Sequence, residues 1–218
     1  MPVTPVDFAS ILCSRLCHDL LSPVGALNNG LELLADETDP AMRARCLELL
    51  NDSARVSANK LKFFRLAFGA AGGFGESVDV REARLAIEGL LADRKRIALN
   101  WLVDAEMLPK SAVKILLNLA LIAIEALPRG GTIDIGGEDN AGQVEIVVKI
   151  EGTLITIQPD LRAILTTGEG AEGVPTHGAG AYLVHALVAE VDGAVLVSEP
   201  ADGIMILGAS MTTAKPAK

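Results

Sequence analysis

The sequence predicts an α+β protein in which an N-terminal antiparallel helical hairpin is followed by an α/β sandwich. Apolar residues recur at three- and four-residue steps through residues 7–68, which is the period of helices with an apolar face. A glycine-rich stretch at residues 69–75 ends that pattern, because glycine loses much backbone entropy when it joins a helix. Short strand patterns then alternate with helical ones. We therefore expect a helical domain over residues 1–70 and a sandwich over residues 76–213.

The helical half divides at residues 36–40, whose sequence DETDP is typical of a helix break. Asp39 is a suitable N-cap and Pro40 a suitable first helical residue, because the fixed φ of proline fits that position. The second helix is predicted over residues 41–68. A connection this short places the two helices antiparallel.

The first helix is apolar over more than one stripe, as the adjacent leucines at residues 20–21 and 33–34 indicate. One partner helix cannot cover so wide a surface, whereas two hairpins paired in a four-helix bundle can. We therefore expect a homodimer. Cys13 and Cys17 are four residues apart on one helical face, and we expect them to be buried in a helical interface.

The second half has the pattern of a sheet with helices on one face. The predicted strands are 78–80, 97–103, 132–136, 144–150, 194–198 and 204–210, and the predicted helices are 82–93, 110–127 and 179–191. The third and fourth strands flank a turn near Asn140, Ala141 and Gly142, which makes them a predicted hairpin.

Composition excludes several classes of function. A net charge of -9 does not attract nucleic acid or an anionic membrane surface. The sequence has no charge-free apolar run of about 18 residues and no secretion signal, so we expect a cytoplasmic protein. The chain has three cysteines, an odd number, and no secretion signal, so we do not expect a disulfide framework.

The candidate catalytic residues are His18 and Asp19. If Leu16 and Leu20 face the core, His18 lies roughly 200° round the helix from Leu16 and points toward solvent. Asp19 is the nearest group to bond one ring nitrogen or to assist proton transfer, and a nucleophilic imidazole needs such a fixed tautomer. Pro23 cannot donate an N–H to the Asp19 carbonyl, so a bend is expected below the histidine. An exposed histidine beside an aspartate is also a common surface feature, and proline can bend a helix for packing alone.

The sequence HDLLSP at residues 18–23 and the order of elements resemble sensor histidine kinases, in which a dimerisation hairpin precedes an ATP-binding sandwich of the GHKL class. Four segments carry a closer resemblance: LCSRLCHD at residues 12–19, SP at 22–23, NGLELL at 29–34 and FRLAFGA at 64–70. They resemble the ChpT family of histidine phosphotransferases from alphaproteobacteria. The resemblance implies phosphoryl transfer at His18 and partners that are receiver domains of a hybrid histidine kinase and of response regulators.

The sandwich differs from the GHKL kinases it resembles at three places. LLNLALIA at residues 116–123 is similar to their asparagine box, but Ile122 stands where the magnesium-binding asparagine should be, and a hydrocarbon cannot coordinate Mg²⁺. Glu151 and Gly152 are a remnant of the adenine-binding loop. The glycines of residues 176–182 either preserve a phosphate loop or mark a helix start. We expect no bound cofactor, a phospho-aspartate donor, and Mg²⁺ held by the partner receiver.

Five residues near His18 are candidates for docking a receiver, although each is equally typical of solvated surface. They are Arg15, Ser22, Asn29, Glu32 and Arg65. Arg15 and Ser22 flank His18 at helical spacing.

Two other functions stay open at this point. They are an ATP-dependent histidine kinase with a divergent site and a silent dimeric adaptor that binds response regulators. His177 and His185 are interpreted as surface or packing residues.

Overall fold

The structure is a computed structural model that describes residues 3–69, 77–170 and 173–212. Helix α1 spans Pro5–Asp36 and helix α2 spans Pro40–Ala67, and the two pack together as the predicted hairpin. The predicted glycine-rich boundary lies outside the described residues except for Gly69. The dimeric bundle requires a second chain, so the single chain does not test it.

The helix ends follow local capping rules. The Thr4 side chain accepts the Asp7 N–H and the Asp7 carboxylate accepts the Thr4 N–H, so a capping box starts α1. Asp39 caps α2 by accepting the Met42 N–H at 3.1 Å, and Pro40 is the first helical residue, as predicted. Helix α1 continues through Pro23 without a break.

The second half contains seven strands and four α-helices among the described residues. They are β1 (Ser77–Asp79), α3 (Val80–Leu91), β2 (Ile97–Val103), β3 (Met107–Pro109), α4 (Lys110–Ala126), β4 (Gly131–Asn140), β5 (Gln143–Glu151), α5 (Pro159–Thr167), α6 (Ala179–Ala189), β6 (Ala194–Val197) and β7 (Ile204–Thr212). The strand order is β2-β4-β5-β7-β6, and the β2-β4 pair is parallel while the other pairs are antiparallel. Strands β1 and β3 form a separate antiparallel pair.

Most predicted elements of the sandwich are present, and the β4-β5 hairpin is confirmed. Two elements were missed, β3 and α5, which have only three and nine residues. Helix α3 begins at Val80 rather than residue 82, because the Asp79 side chain caps it by accepting the Arg81 N–H.

Helix α4 forms the centre of the core. Thirteen of its seventeen residues are buried, because it contacts β4, β5 and β7 on one side and α2, α3 and α6 on the others. Strand β5 alternates buried and more exposed residues along its length, which is the pattern of a sheet covered on one face. The predicted arrangement of helices on one face of the sheet is therefore confirmed.

The hairpin leaves apolar side chains exposed in the single chain. Leu21, Leu31, Leu33, Leu47 and Leu61 are each more than half exposed. Cys13 and Cys17 are also exposed, whereas Cys46 is buried. No helix within the described ranges is long and apolar enough to cross a membrane.

Candidate active site

His18 lies on the surface of α1, with 81% of its side chain exposed, as the helical geometry predicts. Its Nδ1 atom is 3.1 Å from Oδ1 of Asp19. An ionised carboxylate only accepts hydrogen bonds, so this contact favours the tautomer with the ring proton on Nδ1. The lone pair is then on Nε2, which becomes the nucleophilic nitrogen.

Asp19 is held on both its side chain and its backbone. Its Oδ2 atom accepts a hydrogen bond from Nε of Arg15 at 2.7 Å. Its backbone carbonyl accepts a hydrogen bond from Nζ of Lys60 at 2.7 Å. Residue 23 would normally donate its N–H to that carbonyl, but Pro23 has none. Lys60 of α2 therefore supplies the donor that proline removes.

The prediction that Arg15 docks a partner requires a correction. The sequence places it beside His18 as a docking residue, but the structure leaves it only 6% exposed. Its Nη2 contacts a carboxylate oxygen of Glu125, and its Nη1 donates to the His177 carbonyl at 3.3 Å. Arg15 thus joins α1 to the sandwich instead of offering a surface to a partner.

The charges around Arg15 keep it protonated. Burial by itself would lower the pKa of Arg15, but the nearby carboxylates of Glu125 and Asp19 and their hydrogen bonds together raise it above its ordinary value. A permanently charged guanidinium is suited to hold two carboxylates in fixed geometry.

The other docking candidates lie on the surface, but not in one cleft. Ser22, Asn29, Glu32 and Arg65 are exposed. Asn29 and Glu32 line one surface cleft near the end of α1. Arg65 lines a different cleft between α2 and α3.

The asparagine-box residues of α4 are buried in the core. Ile122 is 4% exposed, and Asn118 is fully buried, with its Nδ2 donating to the carbonyls of Ala67 at 3.2 Å and Lys114 at 2.8 Å. The end of α2 therefore packs against this face of α4. Within the described ranges, no three His, Cys, Asp or Glu side chains are grouped to hold a metal ion. These residues do not fit a magnesium–nucleotide site.

The remnant glycine loop is a helix start. Thr176–Gly178 forms a 3-10 turn that leads directly into α6. A Cβ atom at Gly180 would lie 2.7 Å from Oδ1 of Asn118, so this glycine permits close packing of α6 on α4. His177 contributes its carbonyl to Arg15, and His185 places Nδ1 at 3.3 Å from the Leu165 carbonyl, so both contribute to packing.

Two residues of the site were missed by sequence reasoning. Lys60 was detectable, since proline at position 23 leaves the Asp19 carbonyl in need of another donor. Glu125 carried a weaker signal, a single acid near the end of a long apolar helix.

Comparisons with known proteins agree with this arrangement. A family model described as histidine phosphotransferase C-terminal domain matches residues 80–203. The chain is 33% identical to the protein phosphotransferase ChpT of Brucella abortus (strain 2308) over 94% of its own length and 97% of that relative. The chain belongs to the histidine phosphotransferase family.

One solved structure shows the same relationship. The 1.7 Angstrom structure of a bacterial phosphotransferase matches this histidine phosphotransferase with a TM-score of 0.84 and 29% identity, over 96% of this chain and 98% of that one. The histidine kinase AdeS of Acinetobacter baumannii matches with a TM-score of 0.47 and 16% identity, over 91% of this chain and 98% of that one. Family membership confirms the phosphotransferase interpretation over the kinase and the silent adaptor.

Proposed function

We propose that His18 is the phosphoacceptor of a bacterial phosphorelay. It takes a phosphoryl group from the phospho-aspartate of a hybrid kinase's receiver domain and passes it to a response regulator in the cytoplasm. The observation that supports this role is a largely exposed imidazole whose Nδ1 faces a fixed carboxylate. An exposed ring is accessible to a partner protein, and a defined tautomer makes Nε2 the nucleophile.

The proposed transfer needs no proton to enter or leave the site. The Nε2 lone pair attacks phosphorus, an N–P bond forms, and the P–O bond to the receiver's aspartate breaks, with its electrons leaving on that carboxylate. The ring keeps its proton on Nδ1 and becomes a cation, which Asp19 stabilises electrostatically. Transfer to the second receiver reverses these steps.

In this proposal, the receiver holds the magnesium ion that neutralises the phosphoryl oxygens. Positioning and charge stabilisation dominate phosphoryl transfer, so this chain needs to supply mainly a well-placed nucleophile. The exposed candidates Ser22, Asn29, Glu32 and Arg65 are proposed to contact the receiver. Arg65 carries the charge that complements an acidic receiver pocket.

The exposed surface of α1 supports the proposed homodimer. At about 100° per residue, five exposed apolar or thiol side chains fall within an arc of about 80°. They are Cys13, Cys17, Leu21, Val24 and Leu31. His18 lies roughly 60° beyond the edge of this stripe. A second hairpin packed on the stripe would therefore leave the imidazole accessible.

Phosphotransfer from a panel of phosphorylated receivers tests the proposal. We expect label from at least one receiver to appear on the wild-type chain and to be lost in His18→Ala. The control adds labelled ATP and Mg²⁺ without a receiver, and should give no label. Label from ATP alone, or label retained by His18→Ala, would contradict the proposed role.

A further inference from the structure

A continuous series of polar contacts connects the sandwich to His18. Glu125 contacts Arg15, Arg15 donates to Asp19 at 2.7 Å, and Asp19 lies 3.1 Å from Nδ1 of His18. Glu125 and Arg15 are 110 residues apart in sequence and belong to different halves of the molecule. The exposed imidazole is therefore linked to α4 through one buried guanidinium.

The location of Glu125 is unfavourable for a helix considered alone. It is the second-last residue of α4, where the negative end of the helix dipole disfavours an acidic side chain. The buried residues of α4 are apolar except for Asn118, and the Glu125 side chain is 39% exposed. Arg15 compensates for this unfavourable charge, which makes the pair a specific connection between α1 and α4.

We propose that Glu125 is a positioning residue for phosphoryl transfer, and that through Arg15 and Asp19 it keeps the His18 proton on Nδ1. The inference rests on the proposed role of His18. It gives the sandwich a chemical task in this family, because a domain without a magnesium–nucleotide site then determines which ring nitrogen is nucleophilic.

The geometry explains why Glu125 should influence Asp19. One carboxylate oxygen of Asp19 is needed for the imidazole, so the other must fix the orientation of the group. Arg15 provides that second contact, and its own position depends on Glu125 and on the His177 carbonyl. Loss of the Glu125 carboxylate replaces a charge-assisted contact with a weaker one, so the guanidinium is held less firmly and Asp19 can rotate away from Nδ1.

The negative charge of Glu125 also favours phosphoryl transfer to His18. Asp19 and Glu125 carry formal negative charges near the imidazole, while Arg15 and Lys60 carry formal positive ones. Replacing Glu125 with glutamine removes one negative charge from this cluster and weakens its stabilisation of a phosphorylated imidazolium. The expected loss of transfer rate is about tenfold, the lower end of the range for carboxylates that orient a metal-bound histidine.

The test uses the full chain with ¹⁵N-labelled histidine. In the wild type, the His18 ring should show the Nδ1–H tautomer by two-dimensional ¹⁵N NMR. In Glu125→Gln we expect that preference to be lost and transfer from a phosphorylated receiver to slow about tenfold. Glu145→Gln, at an exposed acid of β5, is the matched control and should change neither measurement.

The resonances of His177 and His185 report whether the sandwich stays folded. If the Glu125→Gln variant shifts the resonances of His185, the test uses Arg15→Lys instead. Lysine keeps the positive charge of arginine but lacks the planar guanidinium that holds three partners at once. The same loss of Nδ1–H is expected. An unchanged His18 tautomer in the folded variant, whether or not transfer slows, would overturn the inference. His18→Ala that still accepts label would instead refute the proposed function.

Discussion

Replacing Lys60 with methionine should destabilise the protein, because the lysine satisfies a carbonyl that Pro23 leaves without its helical donor. The Nζ atom of Lys60 lies 2.7 Å from the Asp19 oxygen, and the side chain is half-buried. A hydrogen bond from a charged donor contributes roughly 1.5–3 kcal/mol to the free energy of unfolding. Methionine has a similar length and apolar stem but no donor, so we expect a loss in that range.

A double-mutant cycle with Pro23→Ala isolates the cause. Alanine at position 23 restores the N–H that bonds the Asp19 carbonyl, so Lys60→Met should then cost less by about 1 kcal/mol or more. Pro23→Ala also leaves a cavity, since Pro23 is buried, but the cavity is present in both variants that carry alanine at position 23 and cancels in the comparison.

The assay is urea unfolding at a fixed chain concentration, with a common slope for all variants. Lys62→Met, at an exposed lysine two residues further along α2, is the control and should change stability by less than about 0.5 kcal/mol. An equal cost of Lys60→Met with proline and with alanine at position 23 would refute the carbonyl explanation.

Three further predictions test the interface, the packing of α6 and a titration. Leu31→Lys should convert the expected dimer to a monomer in sedimentation velocity, whereas the control Leu102→Lys, on the open face of the sheet, should not. A dimer that persists in Leu31→Lys would argue against the exposed stripe of α1 as the interface. Gly180→Ala should cost about 1–3 kcal/mol in urea unfolding, because its Cβ would lie 2.7 Å from Oδ1 of Asn118. Gly136→Ala, whose Cβ would meet only the Val147 carbonyl oxygen at 4.0 Å, should cost less than about 0.5 kcal/mol, and equal costs would contradict this account. Hydrogen bonds from the Arg81 side chain and backbone lower the pKa of Asp79. The ionised Asp79 therefore stabilises the fold at neutral pH, and this stabilisation is lost as the pH falls through the lowered pKa. Carboxyl ¹³C NMR should show this titration below the ordinary range, and a normal pKa would refute it.

The hairpin was largely predictable because its signals are local. Asp39 and Pro40 start α2 as expected, since capping depends on residues within one turn. His18 is exposed as expected, since its direction follows from the helical period and the apolar neighbours at 16 and 20. Ile122 predicts that this position offers no ligand to magnesium, since a hydrocarbon side chain has no oxygen atom.

Short elements escaped prediction because their stability comes from distant partners. Strand β3 pairs with β1, a strand from the other side of α3, and its three residues have no period to detect. Tertiary packing frequently overrides such weak local preferences.

The sequence alone determined the two-part fold and the exposed histidine, because both depend on local periodicity. Only the tertiary structure decided the role of Arg15. A helical wheel gives the direction of its side chain but not what occupies that direction. Glu125, 110 residues away, pairs with the buried guanidinium, which then supports Asp19 instead of docking a partner.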